Sequence, residues 1–496
     1  MTPAPCGAVA AGHPLSARAG ADALRAGGNA VDAALASVLV SFVAEPLLTG
    51  LGAGGYLLVA APDGHSTLLD FFVGAPGADA KPGSAGELRA VEVSFGDAVQ
   101  VFHIGAAAVG VYGLPAGICA ASQEFGSLEL AQLVAPAAAL ARGGVVLNDE
   151  QAYIFSILGA IVTATPEAAA IFAPLGRPAH AGERIRNPEL ADSLELLAAE
   201  GEEPFYRGAV AAAICEYLSA RGALLTATDL ATYAAVAREP VRAHYRGRDV
   251  LTNPPPSAGG ILVAHALASL QGEPSPPSTA ALLAAMEAAQ AARSPEFLEA
   301  LDDPDVLERF ATGGLGSTTH ISAIDADGLA CAVTCSNGEG CGIVVPGTGM
   351  HLNNMLGEQD LNPFGFHRHP PGRRLPSMMA PTMVLAADGR SPEIALGSGG
   401  SNRIRSAILQ TICNVLDRSM SLSDAVQAPR IHIEEDVVYV EPGYDDEIPV
   451  PSGHELVHFQ RRNLFFGGVH AVRRDPVSGA LEGAGDPRRG GAVALA

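Results

Sequence analysis

Gly316-Ser317-Thr318-Thr319-His320 places a glycine tip directly against the start of an alternating, strand-like run. A hydroxyl on the first residue of a strand gains a use if the peptide bond before it is cut. The residue then carries a free α-amine beside its own hydroxyl. An α-amine with a pKa of about 7.7–8.0 can take up the hydroxyl proton near neutral pH. The chemistry open to such a pair is acyl transfer through an ester on the threonine, with no histidine needed. On its own, the segment makes a polar turn as readily as a catalytic start.

The elements around it must expose one tip and bury the rest. Residues 272–316 are proline- and glycine-rich at both ends, with an acidic helical stretch at 283–301, and read as a linker. An exposed tip of this kind can be cut without disturbing a core. Beyond it, residues 319–325 and 329–335 alternate with period two around Asp325-Ala-Asp-Gly328, which predicts a β-hairpin. Strands are expected at 56–60, 249–252, 383–386 and 393–396. Helical spacing covers 16–26, 31–43, 128–142, 188–200, 208–220 and 407–417, with a short helix after an N-cap at Thr228. Strands and helices mix without a βαβ rhythm, which favours stacked sheets flanked by helices.

Two motifs are set aside. Gly50-Leu-Gly52-Ala-Gly-Gly55 matches a dinucleotide-binding fingerprint in letters, but a helix precedes it and a strand follows, the reverse of the required order. His367-Arg-His369 has no acidic or thiolate partner at ligand spacing, so no metal is expected, and no cofactor is implied.

Composition narrows the class. With 48% hydrophobic and 17% charged residues the chain is globular rather than disordered. A net charge of −23 argues against nucleic acid and anionic membrane surfaces as partners. The seven cysteines include no C-x-x-C pair and read as buried, reduced thiols. Residues 1–6 show no basic or long apolar signal region, and the run 33–44 is too short to span a bilayer. A cytoplasmic location is the expectation.

Thr318-Thr-His320 with Ser322, Asp325-x-Asp-Gly328 and Ala332-Val-Thr334 resembles the start of the small subunit of γ-glutamyltranspeptidases. Further matches run in order along the chain. They include Gly27-Gly-Asn-Ala-Val-Asp-Ala33, Phe205-Tyr-Arg-Gly208, Pro254-Pro-Pro-Ser-Ala-Gly-Gly260, Leu352-Asn-Asn354, Gly397-Ser-Gly-Gly400 and Gly485-Asp-Pro-Arg488. The resemblance implies a four-layer αββα sandwich of the N-terminal-nucleophile hydrolase type. It implies a precursor cut between Ser317 and Thr318 into chains 1–317 and 318–496, which stay together as one interwoven unit, with a further dimer left open. Thr318 would be the nucleophile, Ser336 a hydroxyl beside it, and Gly399-Gly400 the oxyanion pair. Adjacent glycine amides suit that role physically, since one such donor is worth about 2.7–4 kcal/mol. Asn337 and Glu358 fall where the family binds the α-carboxylate and α-amine of its substrate. Glu339 or Asp360 could take the place of Glu358 after a small shift. Ser377 matches one of two serines that hold a carboxylate, and Pro376 stands in place of the other.

One departure bears on substrate. The family carries a glutamate-binding arginine in a D-F-R-like stretch, and here Leu69-Asp-Phe-Phe72 puts Phe72 in its place. An apolar ring cannot replace a bidentate cation. Arg373, Arg374 or Arg403 would have to reach in from elsewhere. The segment 354–377 also looks short for the family's lid. Three functions follow: transfer or hydrolysis of a γ-glutamyl or similar acyl group; action on a non-glutamyl small molecule in a biosynthetic pathway, at an amide or carbon–carbon bond; or an uncleaved, non-catalytic homologue.

Overall fold

The computed structural model describes residues 5–81, 83–96, 98–291, 301, 318–444 and 447–496. Two sheets carry the fold. Their strands before the predicted cut are β1 (Gly7–Ala11), β2 (Gly54–Ala60), β3 (Ser66–Phe71), β4 (Val236–Arg238), β5 (Val241–Tyr245) and β6 (Arg248–Thr252). Those after it are β7 (Thr319–Asp325), β8 (Ala330–Ser336), β9 (Thr382–Leu385), β10 (Pro392–Gly399), β11 (Gly468–Arg474), β12 (Leu481–Gly485) and β13 (Ala492–Leu495). One sheet runs β13-β1-β7-β8-β2-β3-β4 and the other β12-β11-β10-β9-β6-β5. Each sheet takes strands from both sides of residue 317, so neither segment owns a core of its own.

The layers follow from alternation. In the first sheet Val9, Ala11, Leu57, Val59, Ile321 and Ala323 pack on the side of α1 (Pro14–Arg25) and α2 (Ala30–Ala44). Ala8, Ala10, Tyr56, Leu58 and Ile324 face the other way, into a core shared with the second sheet. Helices α3 (Gly259–Leu270) and α4 (Arg403–Leu416) cover that second sheet. The result is the four-layer αββα sandwich. With apolar layers on both faces, β1, β2, β7 and β8 are buried along their length.

The expected break between the first two helices holds. Gly27 takes φ +92°, and the Asn29 side chain accepts from the amides of Val31 and Asp32 while Asp32 accepts from the Asn29 amide. That reciprocal cap is worth about 1 kcal/mol. Elsewhere boundaries shift. Thr226, not Thr228, caps the short helix Ala227–Ala231, because Thr226 and Asp229 bond each other's backbone amides. Helix α4 starts at Arg403, four residues before the expected start at 407. Arg403 and Arg405 are buried there, and their charge hid them from an apolar pattern. The linker helix is described as Thr279–Ala291, and the rest of the expected 283–301 stretch lies outside the described residues apart from Leu301. All seven cysteines are free thiols. His367 and His369 each bond a backbone carbonyl, of Ala107 and Leu361.

Candidate active site

Thr318 immediately precedes β7. The ladder pairs Thr319 with Cys335 and Ser336 with Gly54, so one further step sets Thr318 opposite Ser336, with Gly54 on the far side. Thr318 is fully buried, and its Oγ1 has no hydrogen-bond partner among the described residues. Its carbonyl oxygen accepts a 3.1 Å bond from the Arg489 guanidinium. Ser317, and with it the expected cut, lies outside the described residues.

The glycine pair comes from the other sheet. Gly399 ends β10, and a Cβ there would overlap the Thr318 carbonyl oxygen. Gly400 takes φ +121°, and a Cβ on it would lie 2.5 Å from Gly467 Cα. A side chain at Gly399 would push the two sheets apart where Thr318 enters, and one at Gly400 would push the end of β10 from the chain entering β11 in its own sheet. Only glycines let that backbone reach the nucleophile.

Of the predicted binding residues, Asn337 and Glu358 are neighbours. Asn337 follows β8, and its Nδ2 donates to the His351 carbonyl at 3.1 Å. Glu358 packs over the Asn337-Gly338 turn so closely that a Cβ on Gly338 would overlap its Oε1, and that oxygen is buried without a hydrogen-bond partner among the described residues. Burial first, then the nearby charges of Glu339 and Asp360, push the Glu358 carboxyl well above the usual carboxylate range. The alternatives Glu339 and Asp360 therefore belong to the same acidic cluster. Glu358 and Asp360 line a cavity of about 260 Å³ whose other walls include Gln100, Phe102, Tyr439 and Phe465. Ser377 accepts from the Met379 amide through Oγ at 3.0 Å, and its carbonyl accepts from Ser257 and from the Ala258 and Gly259 amides. The proline-rich loop thus straps Ser377 in place.

Phe72 is buried in the core between the sheets and stacks on Tyr56, ring centroids 5.4 Å apart. Two of the three arginines that could have replaced the missing cation are engaged. Arg374 lies 3.5 Å from Asp70 and 4.1 Å above the Tyr233 ring. Arg403 donates to the Phe465 carbonyl, lies 3.7 Å from Glu434 and covers the Phe465 ring.

Two residues beside the nucleophile escaped the sequence reading. Arg489 follows the matched Asp-Pro-Arg stretch by one position and had no spacing to mark it. Glu45 did leave a signal, as the one charged residue between Asp32 and Asp63. It caps the C-terminal end of α2, and its Oε1 accepts from Thr319 Oγ1 at 3.1 Å. Burial pushes its carboxyl up to about 7, against the opposing pull of Thr319 and Arg489. The folded state therefore binds this proton more tightly than the unfolded chain. Stability from this group is present below the ordinary carboxylate range and is lost as pH rises through about 7. The loss is on the order of 3 kcal/mol. Urea titrations at pH 5 and pH 8, on a Thr318→Ala background to keep one chain, should show that loss shrink by most of its value in Glu45→Gln. An unchanged pH dependence would refute the assignment.

The model of the γ-glutamyltranspeptidase family matches residues 16–311 and 290–496. The chain belongs to the γ-glutamyltranspeptidase family. It is 34% identical to the Acylase ACY 1 proenzyme of Pseudomonas sp. (strain V22), over 96% of this chain and 91% of the relative. It is 30% identical to the glutathione hydrolase proenzyme of Escherichia coli (strain K12), over 97% of this chain and 90% of the relative. Among solved structures, the cephalosporin acylase from Bacillus halodurans superposes with a TM-score of 0.84 at 27% identity, covering 99% of this chain and 96% of that one. Like other γ-glutamyltranspeptidase-family members, this protein is an acyl hydrolase or transferase of the N-terminal-nucleophile type. It acts on small molecules as a processed, two-chain enzyme.

Proposed function

We propose that Thr318 is the nucleophile, freed by self-cleavage after Ser317, and that the acyl group it accepts is not a γ-glutamyl group. The observation that carries the first half is the meeting of Thr318 with Gly399 at the seam of the two sheets. In maturation, Thr318 Oγ1 attacks the Ser317 carbonyl carbon and the C–N bond breaks, leaving an ester and a free α-amine. Water then opens the ester, giving the Ser317 carboxylate and the Thr318 hydroxyl. In turnover the α-amine accepts the Oγ1 proton while Oγ1 bonds the substrate carbonyl carbon. The Gly399 and Gly400 amides face the resulting oxyanion. The proton passes to the departing amine, and water or an acceptor amine releases the acyl group from the threonine. Ser336, opposite Thr318 in the extended ladder register, is the second hydroxyl placed to support it after maturation.

The second half rests on Phe72. A γ-glutamyl donor brings an α-carboxylate, and Phe72 stacked on Tyr56 offers it no cation. Arg374 is paired with Asp70, and Arg403 with Glu434 and the Phe465 carbonyl. Asn337 and Ser377 remain as neutral hydrogen-bonding groups, while Glu339, Glu358 and Asp360 repel a carboxylate and suit a donor with an amine. Identity is also higher to the Pseudomonas acylase than to the E. coli glutathione hydrolase. Matured enzyme should turn over a neutral or amine-bearing acyl anilide with kcat/KM at least about tenfold above a γ-glutamyl anilide, the scale set by one unmet charged contact. Faster turnover of the γ-glutamyl compound would end this reading of Phe72. The free thiols suit a reducing compartment, and we place the enzyme in the cytoplasm, to be checked by cell fractionation.

A further inference from the structure

Arg489 lies at the back of the nucleophile. Besides its bond to the Thr318 carbonyl, a Cβ on Gly399 would lie 3.1 Å from its Nη1 and one on Gly400 3.6 Å from its Nη2. The guanidinium therefore sits under both the glycine pair and the residue that carries the chemistry. It is 5% exposed, and its Nε has no hydrogen-bond partner among the described residues. Among the described residues no carboxylate comes within ion-pair distance of it. Its neighbour Arg488 is different, held by Glu441 and Asp486. A buried cation is ordinarily paired, so an unpaired one beside a reacting group calls for a reason.

The charged groups around Arg489 act on it from beyond ion-pair distance among the described residues. Arg403, Glu45, Asp486 and Glu339 all act on it through space. Asp486 is spent on Arg430 at 2.7 Å and on Arg488 at 3.1 Å. Arg403 stands beside Glu434, and Glu45 is bound to Thr319. Burial, then Arg403, draws the Arg489 guanidinium down to about 10, which still leaves it charged at neutral pH.

Resting on Thr318 as the matured nucleophile, we propose that Arg489 is a positioning residue that anchors the Thr318 carbonyl and keeps the newly freed α-amine in its neutral, proton-accepting form. The amine is joined to that carbonyl through one carbon, so it forms within reach of the guanidinium. A cation at that range disfavours a second positive charge. Unprotonated, the amine can take the Oγ1 proton. Protonated, it cannot.

The test is the pH profile of kcat/KM for matured enzyme on one acyl anilide, compared among wild type, Arg489→Met and Arg489→Lys. Loss of the cation in Arg489→Met should move the acidic limb up by about one pH unit. Arg489→Lys should keep the limb near its wild-type position. A purely structural role would lower kcat/KM at every pH and leave the limb where it was, and that result overturns the proposal. A second measurement needs no variant. The α-amine of matured wild type, followed by 15N NMR on threonine-labelled protein, should titrate below about 7.7, the lower edge of its ordinary range. A value in or above that range overturns the proposal, and it decides alone if Arg489→Met fails to mature. Intact mass separates the two levels: wild type that remains one chain removes the Thr318 reading itself, whereas cleaved, active enzyme with an unmoved limb removes only the role of Arg489.

Discussion

Thr318→Ala should migrate on a denaturing gel as a single 50.4 kDa chain, where wild type shows two bands meeting at the 317/318 boundary. The alanine variant has neither the oxygen that attacks Ser317 nor the one that accepts the acyl group. Turnover should fall by about 10⁴-fold or more, the scale seen when a covalent nucleophile is removed. The fold should survive, because Thr318 Oγ1 makes no hydrogen bond among the described residues that its loss would break. Thr318→Ser separates chemistry from packing. It keeps the oxygen and the α-carbon, so it should still cleave and still turn over, more slowly. Two bands from Thr318→Ala would place the cut or the nucleophile elsewhere. A single, active, uncleaved wild-type chain would do the same.

Gly399→Ala should cost about 10²–10³-fold in kcat/KM on whatever fraction matures, with far-UV circular dichroism close to wild type. The added methyl carbon would overlap the Thr318 carbonyl oxygen, and backbone cannot swing aside as a flexible side chain does. The strand end must therefore move away from the threonine. A shift near 1 Å at a catalytic group is worth about 10²-fold, and loss of one oxyanion donor about 2.7–4 kcal/mol. Overpacking alone would add about 1–3 kcal/mol of instability, so the melting temperature should be recorded in parallel. Gly400→Ala is the comparison, since it is opposed both by φ +121° and by Gly467. Activity within tenfold of wild type in Gly399→Ala would remove the pair from the oxyanion role.

The hairpin after the nucleophile was plain in the sequence, because period-two alternation and an Asp-Gly turn act within a dozen residues. The two strands along one side of the seven-stranded sheet were not. Gly7–Ala11 is a short, wholly apolar run, and Ala492–Leu495 is shorter still. Gly7–Ala11 is buried on both faces, so it has no polar side to create an alternating pattern, and Ala492–Leu495 exposes apolar Val493 and Leu495 where polar residues would mark an outer face. Arg403 and Arg405 hid the start of α4 for the opposite reason. Their guanidinium groups are buried by distant partners, Phe465 and Glu434 for Arg403 and Gln290 for Arg405, which no local window contains.

The residues themselves determined the family, the strand start at Thr318, the glycine pair and the loss of a cation at Phe72. Each of these is a matter of which atoms exist and in what order. Tertiary structure alone decided which groups converge on that threonine. Glu45 lies 274 residues from Thr319 and Arg489 lies 171 from Thr318, and neither approach has a local signature. Two antiparallel sheets packed face to face bring strand ends of remote sequence to one seam. Burial there then sets the proton affinity of Glu45 and leaves Arg489 charged with no carboxylate in contact among the described residues.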